Sequence, residues 1–130
     1  MSEAGATTDA PRLSIVIPAY DEEHRIGPTL TEYVAHFNQA DLGAFEVIVV
    51  LNGCRDDTRG VVRHVMDDAP QVRMLEFEAP LGKGGAIWEG FAAAQAQLLL
   101  FADADNMVRA SEAERLVRAL DSHDIAIGDR

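Results

Sequence analysis

Residues 98–105, Leu-Leu-Leu-Phe-Ala-Asp-Ala-Asp, join five consecutive apolar residues to two carboxylates spaced i, i+2. In extended chain Asp103 and Asp105 project to the same side, and two hard oxygen donors so placed can share a cation such as Mg²⁺ or Mn²⁺. These ions commonly bind phosphate oxygens as well, so the pair suits a site for a phosphorylated ligand. The apolar run suits a strand covered on both faces, as in a parallel α/β sheet, where ligands bind beyond the carboxyl ends of the strands. Asp is also an ordinary turn residue, and Asp105 or Asn106 could simply cap the next helix.

Three other segments carry polar chemistry. Pro18-Ala19-Tyr20-Asp21-Glu22-Glu23 comes after an apolar run, where Tyr20 could pack on a nucleobase while a carboxylate reads its edge. The same acids would also favour the positive end of the next helix. Asn52, in Asn52-Gly53-Cys54-Arg55-Asp56-Asp57-Thr58, could pair its amide with a base or ribose; a tight turn and helix cap need the same residue types. Leu81-Gly82-Lys83-Gly84-Gly85-Ala86 could hold an anion on Lys83 and on the N–H groups opening a helix. It fits neither the Gly-x-x-x-x-Gly-Lys-Ser/Thr nor the Gly-x-Gly-x-x-Gly pattern. Cys54 has no accompanying His and reads as a turn residue, and His24, His36, His64 and His123 read as surface or helix-flank residues.

The elements needed to bring these loops together are legible. Residues 13–18, 45–51, 72–77 and 98–102 read as strands, the third alternating and so less buried, and 124–128 as a last one. Between them run helical patterns. Ile26, Leu30, Tyr33, Val34 and Phe37 share a face, as do Val61, Val62, Val65 and Met66 after the capping residues Asp56-Asp57-Thr58. Ile87, Trp88, Phe91 and Ala92 predict the apolar face of a third helix after the turn at residues 82–85. Ser111-Glu112-Ala113-Glu114 has the form of a capping box ahead of Leu116, Val117 and Leu120. Five strands alternating with four helices predict an α/β fold, a doubly wound, mostly parallel sheet with helices on both faces.

With 130 residues and 48% hydrophobic content, the chain can bury a core as one domain over residues 13–130, after a polar tail at 1–12. A net charge of −11 opposes nonspecific binding to nucleic acid or an anionic membrane, so a phosphate ligand needs a local cation. Lys83 is the only lysine among the 11 basic residues. One cysteine excludes an intrachain disulfide, and a reducing, cytoplasmic setting is expected. The start lacks signal-peptide character, and no run approaches the ~18 to 20 apolar residues of a bilayer span.

Taken in order, Ser14-Ile15-Val16-Ile17-Pro18-Ala19-Tyr20-Asp21-Glu22-Glu23, then residues 50–58, Gly82-Lys83-Gly84-Gly85-Ala86, Asp103-Ala104-Asp105 and Ile127-Gly128-Asp129-Arg130 resemble the family 2 glycosyltransferases. Within that family the chain is most similar to polyprenyl-phosphate (dolichyl-phosphate) mannosyl- and glucosyltransferases. The resemblance implies the nucleotide-binding half of a GT-A fold and transfer of a sugar from a nucleotide-diphospho-sugar, of GDP-mannose or UDP-glucose type, to an acceptor such as a polyprenyl phosphate. It implies that Pro18, Tyr20 and Glu22 line the nucleotide pocket with Val50 and Asn52 around the base. Asp103 and Asp105 would be the DxD motif holding Mn²⁺ or Mg²⁺, with Ala104 close to the sugar nucleotide and Arg130 at the diphosphate or acceptor phosphate. A lipid acceptor would bring the chain to the membrane periphery.

Three positions depart from the family pattern. Leu51-Asn52 stands where many members have two aspartates, so an amide replaces a carboxylate; Met107 stands where a Gln is frequent; and the acceptor-binding half is expected to be missing. A non-catalytic nucleotide-sugar-binding module, completed by a partner subunit or a second copy, is therefore the alternative expectation. A sugar-phosphate nucleotidyltransferase would show an Arg-bearing glycine-rich loop after its first strand, and an Asp-x-Asp-x-Thr phosphatase would have Thr in place of Met107.

Overall fold

The computed structural model describes residues 10–119. In chain order these form β1 (Leu13–Ala19), α1 (Ile26–Gln39), β2 (Phe45–Asn52), α2 (Thr58–Asp68), β3 (Val72–Phe77), α3 (Gly82–Ala93), β4 (Leu98–Phe101) and α4 (Ala110–Ala119). The expected strand at 124–128 lies outside the described residues, as do Leu120, His123 and Arg130. Among the described residues every strand pairing is parallel, in the order β3-β2-β1-β4. The chain winds outward from β1 through β2 to β3, then returns through α3 to the other side of β1. That is the doubly wound α/β sheet the sequence predicts.

Burial on both faces explains why β1 and β2 read as nearly continuous apolar runs. Ile15, Ile17, Val47 and Val49 face one layer, filled by Ile26, Leu30, Tyr33 and Phe37 of α1, Val62 of α2, and Ala113 and Val117 of α4. Val16, Ile48 and Val50 face the other, where Ala86 of α3 packs with the partly buried Phe91 and Phe101. Before β1, Arg12 already donates its N–H to the Ala44 carbonyl at 2.8 Å.

Local details differ from the sequence reading. Among the described strands β4 is at the edge, and of residues 98–102 only Leu100 and Ala102 are fully buried. Residues 82–85 are the first turn of α3, not a turn ahead of it. The buried seat of that helix is Ala86 and Gly90; Trp88 is 72% exposed and Ala92 is exposed. Small residues prevail because α3 lies so close to β1 that a Cβ on Gly90 would stand 2.3 Å from Val16 Cγ1. Ser111 does not cap α4, which begins one residue earlier. Glu32 of α1 substitutes for it, its Oε2 accepting the Ala110 N–H at 2.9 Å, while Glu114 bonds Arg118 Nε at 2.6 Å instead.

Candidate functional site

The winding reverses between β1 and β4, and ligands of open α/β sheets bind at such a switch point beyond the strand ends. A cleft of about 370 Å³ opens there. Pro18, Tyr20 and Glu22 reach it from the end of β1 and its loop, and Asn52 from the end of β2. Lys83 contributes from the first turn of α3, and Asp103, Ala104 and Asp105 from the chain leaving β4. The two-residue period of β4 carries past its last residue, as Ala102 N–H donates to Val16 O at 2.9 Å. Ala102 and Ala104 consequently turn into the core, and Asp103 and Asp105 remain partly exposed. Asp105 also serves the turn: its Oδ1 accepts the Met107 N–H at 3.1 Å.

The acidic loop is held by one polar face of α1. Thr29 Oγ1 donates to the buried Ala104 carbonyl at 2.7 Å, and Tyr33 OH donates to Val108 O at 2.6 Å. Between them Glu32 accepts from Asn106 Nδ2 at 3.0 Å, Arg109 Nε at 2.9 Å and the Ala110 N–H. Arg109, aided by the other two donors against the cost of burial, holds the Glu32 carboxyl at about 2. Asn106 itself takes a left-handed φ of 63°, a conformation Asn tolerates well. Thr29 and Glu32 are absent from the candidates read off the sequence. Their signal is the spacing of polar residues 29, 32, 33 and 36 at i, i+3, i+4 and i+7, a second face beside the apolar one.

On the opposite wall, Lys83 Nζ lies 2.6 Å from Asp103 Oδ1. Asn52 is 6% exposed and directs its amide at the peptide leading into α3. At the lip, Tyr20 is 45% exposed and the Arg55 guanidinium carbon sits 5.4 Å from its ring centroid. Asp21, at φ 51°, accepts from Arg55 N–H at 2.6 Å and from the Arg55 side chain at 2.8 Å, which lowers its carboxyl pKa. Glu22 anchors the same loop, its N–H donating to Thr58 Oγ1 at 2.9 Å.

Two sequence-selected residues are not in this assembly. Val50 is fully buried beneath α3, so its side chain does not reach the cleft, and Arg130 lies outside the described residues. Asp21, Cys54 and Asp56 bring potential ligand atoms within 4.8 Å of one another. Those carboxylates already accept from Arg55, Glu23 and Thr58, and Cys54 Sγ donates to Ala19 O, so the group reads as a loop clasp. Among the described residues, no helix is long and apolar enough to cross a membrane.

Residues 14–130 match the profile of the family described as Glycosyl transferase family 2. The chain belongs to that family. This family 2 chain is 39% identical over 114 residues to a dolichyl-phosphate beta-glucosyltransferase of Drosophila melanogaster, an alignment covering 83% of the chain and 35% of the relative. It therefore spans about a third of the length of the curated relatives it matches. Among solved structures it resembles the mannosyltransferase PcManGT from Pyrobaculum calidifontis in complex with GDP-Man and Mn²⁺. There the TM-score is 0.64 at 25% identity, covering 75% of this chain and 28% of that one. The fold is also shared with TarS residues 1–349 of S. aureus, with a TM-score of 0.66 at 22% identity over 87% of this chain and 33% of that one.

Proposed function

We propose that this family 2 chain binds a nucleotide-diphospho-sugar with a divalent cation and forms the donor side of glycosyl transfer to a polyprenyl phosphate. The observation that carries this reading is the convergence of Asp103, Asp105 and Lys83 on one cleft, beside the exposed ring of Tyr20. Oxygen donors without Cys or His suit Mg²⁺ or Mn²⁺, and a two-carboxylate site leaves positions for phosphate oxygens. Once bound, the cation would neutralise charge developing on the nucleoside diphosphate as the sugar–phosphate bond breaks.

The chain's own residues divide the remaining work. Tyr20, backed by Arg55, offers a stacking face for the base, with Pro18 and Glu22 flanking the nucleotide. Lys83 supplies positive charge for the diphosphate in a chain of net charge −11. Ala104 lines the cleft between the two aspartates, where the sugar nucleotide would pass, and a role for Arg130 at the diphosphate or acceptor phosphate is carried by the family resemblance alone. An acceptor phosphate oxygen is already anionic, so attack on the anomeric carbon needs no strong general base. The Drosophila relative's name supports a dolichyl-phosphate acceptor, and the GDP-Man and Mn²⁺ of the Pyrobaculum enzyme support a hexosyl donor with a metal.

Calorimetric titration with GDP-mannose, UDP-glucose and UDP-N-acetylglucosamine, each with Mn²⁺ and with EDTA, tests the reading. One donor is expected to bind in Mn²⁺ and not in EDTA. Asp105→Ala should abolish that binding while melting within about 3 °C of the parent, since it removes one exposed turn contact. Unchanged affinity of the variant in Mn²⁺ would sink the site assignment.

A further inference from the structure

The geometry points to Asn52 as a positioning residue that sets Lys83, not as a reader of the nucleotide base; this rests on the nucleotide reading above. A side-chain amide presents a carbonyl oxygen with two lone pairs at one end and an NH₂ with two donors at the other. Both ends of Asn52 are committed to consecutive residues: Oδ1 accepts the Leu81 N–H at 2.6 Å, and Nδ2 donates to the Gly82 carbonyl at 3.2 Å. The side chain thus clamps the peptide that opens α3. Lys83 is the next residue, and its ammonium reaches Asp103 Oδ1 at 2.6 Å.

The surroundings leave the clamp little freedom. Beside Asn52, Gly53 takes φ +69° and a Cβ there would stand 2.9 Å from the Pro80 nitrogen. Gly53 N–H also donates to Phe77 O at 2.9 Å, pressing the end of β2 against the β3–α3 connection. Each end keeps one further hydrogen-bonding position, but Asn52 is 6% exposed, so a base would meet a side chain that is nearly covered and already held at both ends by the entry to α3. An amide suits this place better than a carboxylate, which could accept from Leu81 but would set an oxygen against the Gly82 carbonyl.

The test compares Asn52→Ala, which removes both bonds, with Asn52→Asp, which keeps only the one from Leu81 and remains informative if the alanine variant fails to fold. Binding is measured with UDP and GDP in Mn²⁺ and with uridine and guanosine alone. The diphosphate bound by the parent should weaken about tenfold in Asn52→Ala, the size of one charge-assisted contact, with the nucleoside held within about twofold and Asn52→Asp in between. Added to Lys83→Ala, Asn52→Ala should cost nothing further. Because Lys83 is the only lysine, its rate of reductive methylation, read by peptide mass, reports its environment without any ligand. That rate should rise several-fold in Asn52→Ala, in the same direction as in an Asp103→Asn reference.

Equal losses for nucleoside and diphosphate, additive losses with Lys83→Ala, or an unmoved Lys83 rate would each overturn the assignment. Failure of the parent to bind any nucleotide would strike the nucleotide reading instead, and the Lys83 rate would still decide whether the clamp exists.

Discussion

Lys83 Nζ stands 2.6 Å from Asp103 Oδ1, so the lysine of the cleft and one of its two candidate metal ligands neutralise each other. A divalent cation arriving at Asp103 meets a positive charge already in place. At 4 Å in a watery cleft, two unit charges interact by about 1 kcal/mol, so a divalent ion against one ammonium is worth about 2 kcal/mol, or roughly thirtyfold in affinity. Lys83→Met keeps the length and removes the charge. It should bind Mn²⁺ alone roughly thirtyfold more tightly and nucleoside diphosphate more weakly, as read from free Mn²⁺ by electron paramagnetic resonance and from calorimetry. Unchanged Mn²⁺ affinity would mean that the ion pair does not govern the metal site.

The strands and most of the cleft were legible because both depend on short-range signals. Apolar runs mark β1 and β2, and the polar residues after each strand fall at the carboxyl edge by topology alone. What escaped depends on contacts across long separations. Nothing local tells that Glu32 caps a helix 78 residues away, or that Ser111, with the residues of a capping box, stands inside α4. Val50 has the type and place of a cleft residue, yet the pleat turns it under α3. Trp88 and Ala92 fit a helical apolar stripe, and the seating of α3 at Ala86 and Gly90 leaves those two outside while Phe91 of the same stripe packs inward.

Thr29 tests whether α1 positions the acidic loop. Its hydroxyl donates to the Ala104 carbonyl between the two aspartates, and Thr29 is fully buried. Thr29→Val keeps the shape and leaves that carbonyl without its donor, a loss of about 1 to 3 kcal/mol in unfolding free energy. Mn²⁺-dependent nucleotide binding should weaken with it, although Thr29 does not line the cleft, and Thr29→Ser should recover both. Full binding by the valine variant would leave Thr29 with a stability role alone.

Acid stability should carry the mark of Glu32. Its carboxyl sits at about 2 against an ordinary 4.5, so the folded state holds the proton less readily than the unfolded one. The stabilisation is fully present above about pH 4.5 and is lost as pH falls toward 2. Arg109, its main partner, has a side chain 66% exposed, so solvent screening trims the ion pair and the helix-capping bond to Ala110 matters more. Glu32→Gln should lose about 1 to 2 kcal/mol at pH 7, and its gap from the parent should close between pH 4.5 and 2.5 in urea titrations. A constant gap across that range would assign the loss to packing.

Two glycines of α3 should respond oppositely to alanine, because one faces β1 and the other faces open space. At Gly90 a Cβ would lie 2.3 Å and 3.0 Å from the two γ-carbons of buried Val16, whose branched side chain has little room to turn. Alanine is the better helix former by about 1 kcal/mol, but overpacking typically costs about 1 to 3 kcal/mol and here must move the helix. Gly90→Ala should therefore lower the melting temperature by about 5 °C or more and weaken diphosphate binding, since α3 carries Lys83 on its first turn. A Cβ on Gly84 would meet nothing within 4 Å, so Gly84→Ala should be neutral or stabilising by up to about 1 kcal/mol. Equal behaviour of the two variants in thermal melts would mean that α3 is not seated on Val16, and the support of Lys83 from beneath would go with it.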